Sequence, residues 1–544
     1  MANKNKFDCI IVGGGATGAG IARDLSLRGL SVLLLEKNDL SEGTTGRCHA
    51  MLHSGGRYVY KDKIAATECA IESEILLKIA PHITEMCGGF FIAVDEEDVE
   101  YGDIFEKSCR EAEVFCEELN PQEFLAQEPK CNSEVKRVFR VNDGYIDPFL
   151  LTYYNAYDAK LNGAKIKTYS KVENLLLKGS DIVGVEYYDK LKNATKEAYS
   201  DMLINATGPW AQYLEKDLEL ERPLQISPTM GSLLVIQNRL VDHLINRLRK
   251  PGDGDIFVPS HQSVILGTTS IPKNYEELDH LLADREEIEY LLDLGEYLIP
   301  SIREYNLLRF YSGARPLVAS GGSPREASRK FEVIDYEEEG YSGFITIFGG
   351  KLTTYRLMAE KVSDLICEKL GIVKDCTTAG KTLPGGERKV PMKTFKEKLH
   401  VEGKTAFDMQ YKWGTFYNEI SELCQTCIES YNTSGKPRMI CECEHVTEPE
   451  ISWVKENLHV KVIDDYRRRT RQAMGPCQGQ FCYYKICDLE SKWTNKTHNQ
   501  IIDELTAALK KRWKTESHGG DFIKKQIKLS KYLYLLGGNL NERF

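Results

Sequence analysis

Three groups of side chains in this sequence have types and spacings that could do chemistry: two pairs of cysteines, a set of arginines, and a loop carrying histidines. Cys441-Glu-Cys443 and Cys477-Gln-Gly-Gln-Phe-Cys482 are roughly thirty residues apart, which lets one fold bring four thiolates onto one centre. An iron–sulfur cluster, a zinc ion and a site that holds nothing are all compatible with that spacing. Cys424-x-x-Cys427 has no second pair at matching distance and reads as core packing inside a helix. The arginines fall in Tyr311-Ser-Gly-Ala-Arg315-Pro-Leu317 and Ser323-Pro-Arg325-Glu-Ala-Ser-Arg329-Lys330. A phosphorylated or carboxylated substrate cannot be buried unless its charge is matched, and guanidinium groups match it through directed hydrogen bonds. Arg315, before a proline, could equally anchor its own strand. The histidine loop is Arg47-Cys-His-Ala-Met-Leu-His53-Ser-Gly-Gly-Arg57-Tyr58.

These groups need a frame, and it begins at the first apolar run. Residues 7–12 lead into Gly13-Gly14-Gly15-Ala16-Thr17-Gly18, a helix-like stretch follows, and residues 31–35 form a second apolar run that ends at Glu36. This is a dinucleotide-binding β-α-β unit: Gly13 permits the tight turn, Gly15 lets the backbone approach a pyrophosphate, and Gly18 lets helix pack on strand. The helix N-terminus offers N–H groups and a partial positive charge to the phosphates, and Glu36 is placed to accept ribose hydroxyls. Taken alone, the unit suits NAD as well as FAD. A loop rich in Gly, Ser and His beside such a site is expected to line it; the alternative leaves His53 and Arg57 on the surface.

Further along, residues 64–80 have helical periodicity. Short alternating runs over 165–169, 172–177, 182–188 and 198–205 read as a β-meander returning to the first sheet. It ends in Asn205-Ala206-Thr207-Gly208-Pro-Trp210, a small-residue turn where backbone can press against a ligand. Residues 223–317 mix strands with a helix near 284–298 and carry no second glycine fingerprint, which argues against a flavin and a nicotinamide sharing the chain. Residues 343–348 form another strand, and Gly349-Gly350-Lys351-Leu352-Thr353-Thr354 turns it into a helix reaching about residue 370. A helix N-terminus aimed at a flavin would stabilise charge on its reduced ring. Residues 381–438 read as a connector and helical spacer, 439–488 as a cysteine module, and 489–544 as a basic helical segment packing on the body. The run Arg467-Arg-Arg469-Thr-Arg471 either offsets the charge of a cluster or is a solvated helix face. Residues 531–537 are expected to cover their own domain, the alternative being a partner or a membrane surface.

A chain of 544 residues with 42% hydrophobic content is expected to form a multi-part globular protein. Its formal charge of -10 argues against general nucleic-acid binding, so an anionic substrate must meet a local cationic pocket. No signal-peptide pattern can be fitted and no run approaches a membrane span, so a cytoplasmic protein is expected. In that compartment sixteen cysteines are not a disulfide framework.

The opening fingerprint, His53-Ser-Gly-Gly-Arg57-Tyr58, Gly313-Ala-Arg315-Pro-Leu317 and Gly349-Gly-Lys351-Leu-Thr-Thr-Tyr-Arg356 together resemble the FAD-dependent glycerol-3-phosphate dehydrogenases of the D-amino-acid-oxidase-like flavoprotein superfamily. The Cys441 to Cys482 segment resembles the bacterioferritin-associated-ferredoxin-like [2Fe-2S] module, a combination similar to the anaerobic, multi-subunit members. The resemblance implies an α/β fold: a Rossmann-like FAD-binding domain (mainly 1–60, 160–215 and 340–372) interleaved with an α+β substrate domain (mainly 61–159 and 216–339), plus a small C-terminal cysteine-rich helical module. It implies FAD held by Gly13, Gly15, Gly18, Glu36, Thr44, Thr45, Val172, Ala206, Gly208, Gly349, Gly350, Lys351, Leu352 and Thr353, and a [2Fe-2S] cluster on Cys441, Cys443, Cys477 and Cys482. Arg57, Arg315 and Arg329 would surround sn-glycerol 3-phosphate, with Lys351 beside the flavin. Oxidation at C2 would give dihydroxyacetone phosphate, electrons passing to partner subunits and a membrane quinone, with the chain peripheral on the inner face of the membrane through those partners. Single-subunit relatives carry a histidine after the Gly-Ser pair matching Gly231-Ser232, where this chain has Leu233. His53, the nearest titratable imidazole in the flavin-lining loop, is the expected base. Two alternatives stand: a 2-hydroxy acid or amine as substrate, and a non-catalytic flavin and iron–sulfur protein.

Overall fold

The computed structural model describes residues 5–216, 218–318, 330–431, 435–538 and 540. Strands Lys6–Val12 and Val32–Leu35 pair in parallel, joined by helix Ala16–Leu27. Cys9, Ile10 and Ile11 are buried on both faces, which is why this strand reads as a continuous apolar run and not as an alternation. The parallel part of the sheet runs Lys165–Lys167, Val32–Leu35, Lys6–Val12, Ala194–Asn205, Phe344–Gly349. Residues 165–167 therefore do not begin the meander as expected. They form a parallel edge strand on Val32–Leu35, delivered there by helix Pro148–Leu161. The antiparallel meander is Ser170–Lys178, Asp181–Asp189 and Ala194–Asn205. The last of these starts in the meander and finishes beside Lys6–Val12, and Ala206 N–H donates to Val12 O at 2.9 Å. The glycine turn and the Ala206 turn thus share one edge, outside the carboxyl ends of the strands where such sheets bind ligands.

A second sheet of nine strands pairs Ile226–Gln237 antiparallel with Leu307–Val318, with Gly231 opposite Gly313 and Leu233 opposite Tyr311. The loop after Glu36 lies across this pair. Thr44 Oγ1 donates to Ala314 O at 2.7 Å, Arg47 Nη1 to Ser312 O at 3.3 Å, and Tyr311 OH to Cys48 O at 3.0 Å. The cofactor loop is thereby held between the two sheets.

The expected connector contains helices Met392–Leu399, Gly403–Trp413 and Tyr417–Tyr431. Their buried Phe395, Trp413 and Cys424 share one core with Leu76 and Tyr154 of the body and with Trp453, so the C-terminal part is no loosely tethered appendage. The solvated-face reading of the arginine run is overturned. Arg468 and Arg469 are buried and both donate to Asp39, just past Glu36: Arg468 through Nε at 2.6 Å, and Arg469 as a fork through Nη1 at 2.5 Å and Nη2 at 2.9 Å. Arg467 and Arg468 also hold Asp464, and Arg471 reaches Glu444 at 2.9 Å. Burial alone would raise the Asp39 pKa, but Arg469 and Arg468 outweigh it and hold the carboxyl well below the usual range. Among the described residues no helix is long and apolar enough to cross a membrane.

Candidate active site

Strand Lys6–Val12 ends at Gly13, whose φ of 111° is open only to glycine. A Cβ on Gly13 would stand 2.5 Å from Ala206 O, and one on Gly18 would stand 1.9 Å from Gly13 O. Gly15 caps the following helix without a side chain, and Ala16 N–H donates to Thr45 Oγ1 at 3.0 Å. Such a bare N-terminus is an anion site. Glu36 accepts Gly14 N–H at 2.7 Å and Asn38 N–H at 2.9 Å. Burial lifts its pKa while those two N–H groups oppose the shift.

A cavity of about 1070 Å³ runs from Val172 past Gly13, Gly15, Glu36, Thr44 and Thr45, then past Ala206 and Gly208 to Gly349, Gly350, Lys351 and Leu352. Its length and its side-chain-free turns suit an extended flavin dinucleotide. Gly18 and Thr353 do not line it: Gly18 supports the turn from behind, and the buried Thr353 accepts His53 N–H through Oγ1 at 3.1 Å. Gly13→Ala is expected to weaken FAD binding about tenfold or more, because the turn must strain or Ala206 must move. Flavin absorbance per purified chain, at unchanged far-UV dichroism, checks it.

Of the histidine loop, Arg47, Cys48 and Ala50 line this cleft, whereas His49, His53, Arg57 and Tyr58, like Arg315, lie behind its lining and not in it as expected. His53 is buried, with Nε2 3.4 Å from Tyr58 OH and its ring edge-on to His49 at 5.6 Å. Lys351 Nζ lies 4.6 Å from the centroid of Tyr58, so the loop meets the Gly349–Gly350 turn. Burial, then Arg57 and Arg315, push the His49 pKa down to about 3. Met51 N–H points at His49 Nδ1 at 3.4 Å, which leaves Nε2 to carry the proton of the neutral ring. Arg57 Nη2 donates to Asp255 Oδ2 at 3.1 Å and to Gly252 O at 3.2 Å. Arg315 Nη2 donates to Thr268 Oγ1 at 2.6 Å and to Thr269 O at 3.1 Å, filling the space over Gly231. Leu233 is buried against Gly267, so no titratable group stands at that position. Arg329 lies outside the described residues. Sequence motifs did not single out His49, Asp143 or Asp255. The only signal for His49 was a second imidazole one helical turn's spacing from His53, and the two aspartates carried no motif. Asp143 pins the loop by accepting Ser54 N–H and Ser54 Oγ at 2.8 Å, and burial lifts its pKa to about 6.

All the described cysteines are free thiols. Cys441 contacts Cys482, and Cys443 contacts Cys477. The bond from Cys443, aided by the N–H groups of Gly479, Phe481 and Gln480 and opposed by burial, holds the Cys477 thiol down at about 6. Gln472 Nε2 donates to Cys482 Sγ at 3.2 Å, and a Cβ on Gly475 would stand 2.5 Å from Cys443 Cβ. Among the described residues no group of three or more His, Cys, Asp or Glu is arranged to hold a metal ion; the thiols stand as two pairs. The cofactor cavity extends to Met474 and Gln478, on either side of Gly475 and Cys477, and to Arg309 and Arg512.

Residues 8–356 match the FAD dependent oxidoreductase family, DAO. The chain is 40% identical over 512 residues to a subunit of the anaerobic glycerol-3-phosphate dehydrogenase of Escherichia coli strain K12, covering 93% of this chain and 92% of that protein. It is 34% identical over 530 residues to the corresponding protein of Haloferax volcanii, also named as a subunit of an anaerobic glycerol-3-phosphate dehydrogenase, covering 95% and 87%. Among solved structures, the glycerol-3-phosphate dehydrogenase from Bacillus halodurans complexed with FAD has a TM-score of 0.69 at 23% identity, covering 94% of this chain and 95% of that chain. Glycine oxidase from Geobacillus kaustophilus has a TM-score of 0.55 at 20% identity, covering 70% and 99%. The structural matches show a common fold, and the extent of the sequence matches decides the family: this chain is an FAD-dependent oxidoreductase of the DAO family, and within it belongs with the glycerol-3-phosphate dehydrogenases.

Proposed function

We propose that this chain is the catalytic subunit of a quinone-linked dehydrogenase that oxidises sn-glycerol 3-phosphate at C2 to dihydroxyacetone phosphate. The observation that carries this reading is the chain of contacts from Lys351, which lines the cofactor cleft, through Tyr58 to His53 and His49, with Arg57 and Arg315 both within electrostatic reach of His49. FAD bound in the cleft supplies the acceptor for the hydride that leaves C2. Arg57 and Arg315 hold the phosphate through charge-assisted hydrogen bonds, about 1.5–3 kcal/mol each; Arg329 is the third proposed contact. His53 takes the hydroxyl proton as the C2–H electron pair departs, and the C2–O bond becomes a carbonyl. Tyr58, beside His53 Nε2, orients the ring. A phosphate dianion among the arginines would offset their repulsion of a charged His49, which adds to the larger effect of burial. Mixed anaerobically with glycerol 3-phosphate, the holoenzyme is expected to lose its oxidised-flavin absorbance. Bleaching by a 2-hydroxy acid or an amine instead would reject the substrate.

Cys441, Cys443, Cys477 and Cys482 are the proposed ligands of a [2Fe-2S] cluster, which supplies a one-electron relay toward partner subunits and quinone. Support comes from the paired thiols, the N–H groups turned to Cys477, the tight Gly475 turn, and a cleft continuous from the cofactor turns to Met474 and Gln478. The relatives are named as subunits, which supports partner chains; a peripheral place at the membrane through such partners is part of the same proposal. Cys477→Ser is expected to remove the EPR signal of the reduced protein and most of its iron, while substrate still bleaches the flavin. Stoichiometric zinc in the wild type, with no EPR signal on reduction, would overturn the assignment.

A further inference from the structure

The C-terminal helix Asp521–Lys531 and the turn of π-helix Tyr532–Gly537 close over the cysteine loop. The buried Tyr534 donates its OH to Gly479 O at 3.1 Å and to Gln480 O at 3.0 Å. Gln480 Nε2 donates to Gln526 O at 3.1 Å, and Tyr484 stacks on Tyr534 at 4.5 Å while donating to Leu533 O at 3.1 Å. Tyr534 and Gln526 thus tie this segment to the loop that carries Cys477 and Cys482, while Ile523 and Ile527 are buried on its inner face.

The outer face has a different composition. Leu529 (49% exposed), Tyr532 (66%) and Leu536 (59%) form one stripe at helical spacing, and Phe481 (60%), the residue before Cys482, stands out from the loop underneath. Single exposed apolar side chains are ordinary on a surface; a stripe of large ones beside a further exposed aromatic marks an interaction site. Lys525 and Lys528 are exposed on the same helix, giving the stripe a cationic edge on a chain whose formal charge is -10. Anchors at this spacing are what a helix presents to an apolar groove of a partner.

We propose that this face docks a redox partner protein, through an apolar groove with an acidic rim, and that electrons leave the cysteine centre there. The proposal rests on the reading of those four cysteines as a redox centre. A protein fits better than a lipid surface. Lys531 is tied to Glu516, and the remaining exposed lysines are too few for the cluster of about four to eight that anionic membranes select. The relatives are also named as subunits, and the stripe backs directly onto the cysteine loop, which a partner must approach to receive electrons.

The test uses the full-length holoenzyme, tagged and purified from cells that make its partner subunits, with redox subunits per chain counted by mass spectrometry. Tyr532→Glu/Leu536→Glu is one variant. Lys525→Glu/Lys528→Glu, which changes only exposed charge, guards against a folding artefact. Both are expected to lower co-purification about tenfold or more, the loss of one or two anchor residues, with substrate-driven reduction of a soluble dye per flavin unchanged. Wild-type levels of partner on both variants would overturn the proposal, as would a wild type that carries no redox partner. Binding of the isolated wild-type chain to phosphatidylglycerol vesicles, lost in the variants while the partner stays, would assign the face to the membrane instead. Absence of dye reduction or of iron in the wild type is scored separately, against the reading of the site.

Discussion

Arg315→Lys is expected to lower kcat/KM for glycerol 3-phosphate by about two to three orders of magnitude, with flavin content unchanged. Arg315 is already positioned: Nη2 is bonded to Thr268 Oγ1 and Thr269 O, and the guanidinium lies over the bare backbone of Gly231. Lysine keeps the charge but replaces a fork of directed donors by a point charge on a flexible stem. Losing two charge-assisted hydrogen bonds to the phosphate, each at the lower end of about 1.5–3 kcal/mol, gives that range. Because the phosphate is remote from C2 and is held in ground and transition state alike, most of the loss should appear in KM. Anaerobic rapid mixing measures it directly as the substrate dependence of flavin bleaching. A change of less than about threefold, little more than half a kcal/mol, would reduce Arg315 to a strand anchor.

The second large effect concerns stability. Asp39→Asn is expected to destabilise the chain by about 3–5 kcal/mol, because it leaves Arg468 and Arg469 buried without their shared counter-ion. Asp39 belongs to the cofactor loop and its partners to the cysteine module, so flavin release and unfolding of the C-terminal helices should move together to lower denaturant. Tyr153 OH also donates to Asp39 Oδ2 at 2.8 Å, which ties helix Pro148–Leu161 into the same network. The charge pair is more costly to break than to replace: Asp39→Leu combined with Arg469→Met should recover part of the loss. The pH dependence follows from the depressed Asp39 carboxyl. Its stabilising share is complete above the ordinary aspartate pKa of about 3.9 and is lost only as pH falls toward the depressed folded value. Between about pH 5 and pH 8 the share of the Asp39 carboxyl itself is constant, but Asp465, which burial and then Asp39 raise to about 6, costs the wild type more than Asp39→Asn above that pH, so the gap should narrow as pH rises through about 6. Urea midpoints at several pH values check both statements, and a gap that widens steadily across that range would point to a different titrating group.

The cofactor cleft was legible because its demands are local. A strand that turns back over a pyrophosphate needs Gly13 at positive φ and Gly18 without a Cβ, and both requirements are met by contacts within or beside the turn. The same holds for the Gly349–Gly350 turn, whereas the thiols meet across the two sequence pairs, Cys441 with Cys482 and Cys443 with Cys477, and depend on the fold. Helical periodicity likewise anticipated Lys63–Ile79, Arg285–Leu298 and Tyr355–Lys369 within a residue or two. Edge strand Lys165–Lys167 was misread because three residues carry no periodicity that tells a parallel edge from a meander.

By itself, then, the sequence determined the class of cofactor site and the family, and offered arginines as candidates for an anionic substrate. All of these follow from backbone sterics and from motifs a few residues long. Only the tertiary structure decided what those residues experience. His49 is driven neutral by burial and then by Arg57 and Arg315, which come from different elements, and Asp39 is met by arginines 429 and 430 residues further along the chain. The run Arg467 to Arg471 reads in sequence as counter-charge to a cluster or as a solvated face, since charge predicts exposure until a buried carboxylate is supplied from elsewhere. Ion pairs and imidazole environments depend on distance in space, and no window of sequence contains that distance.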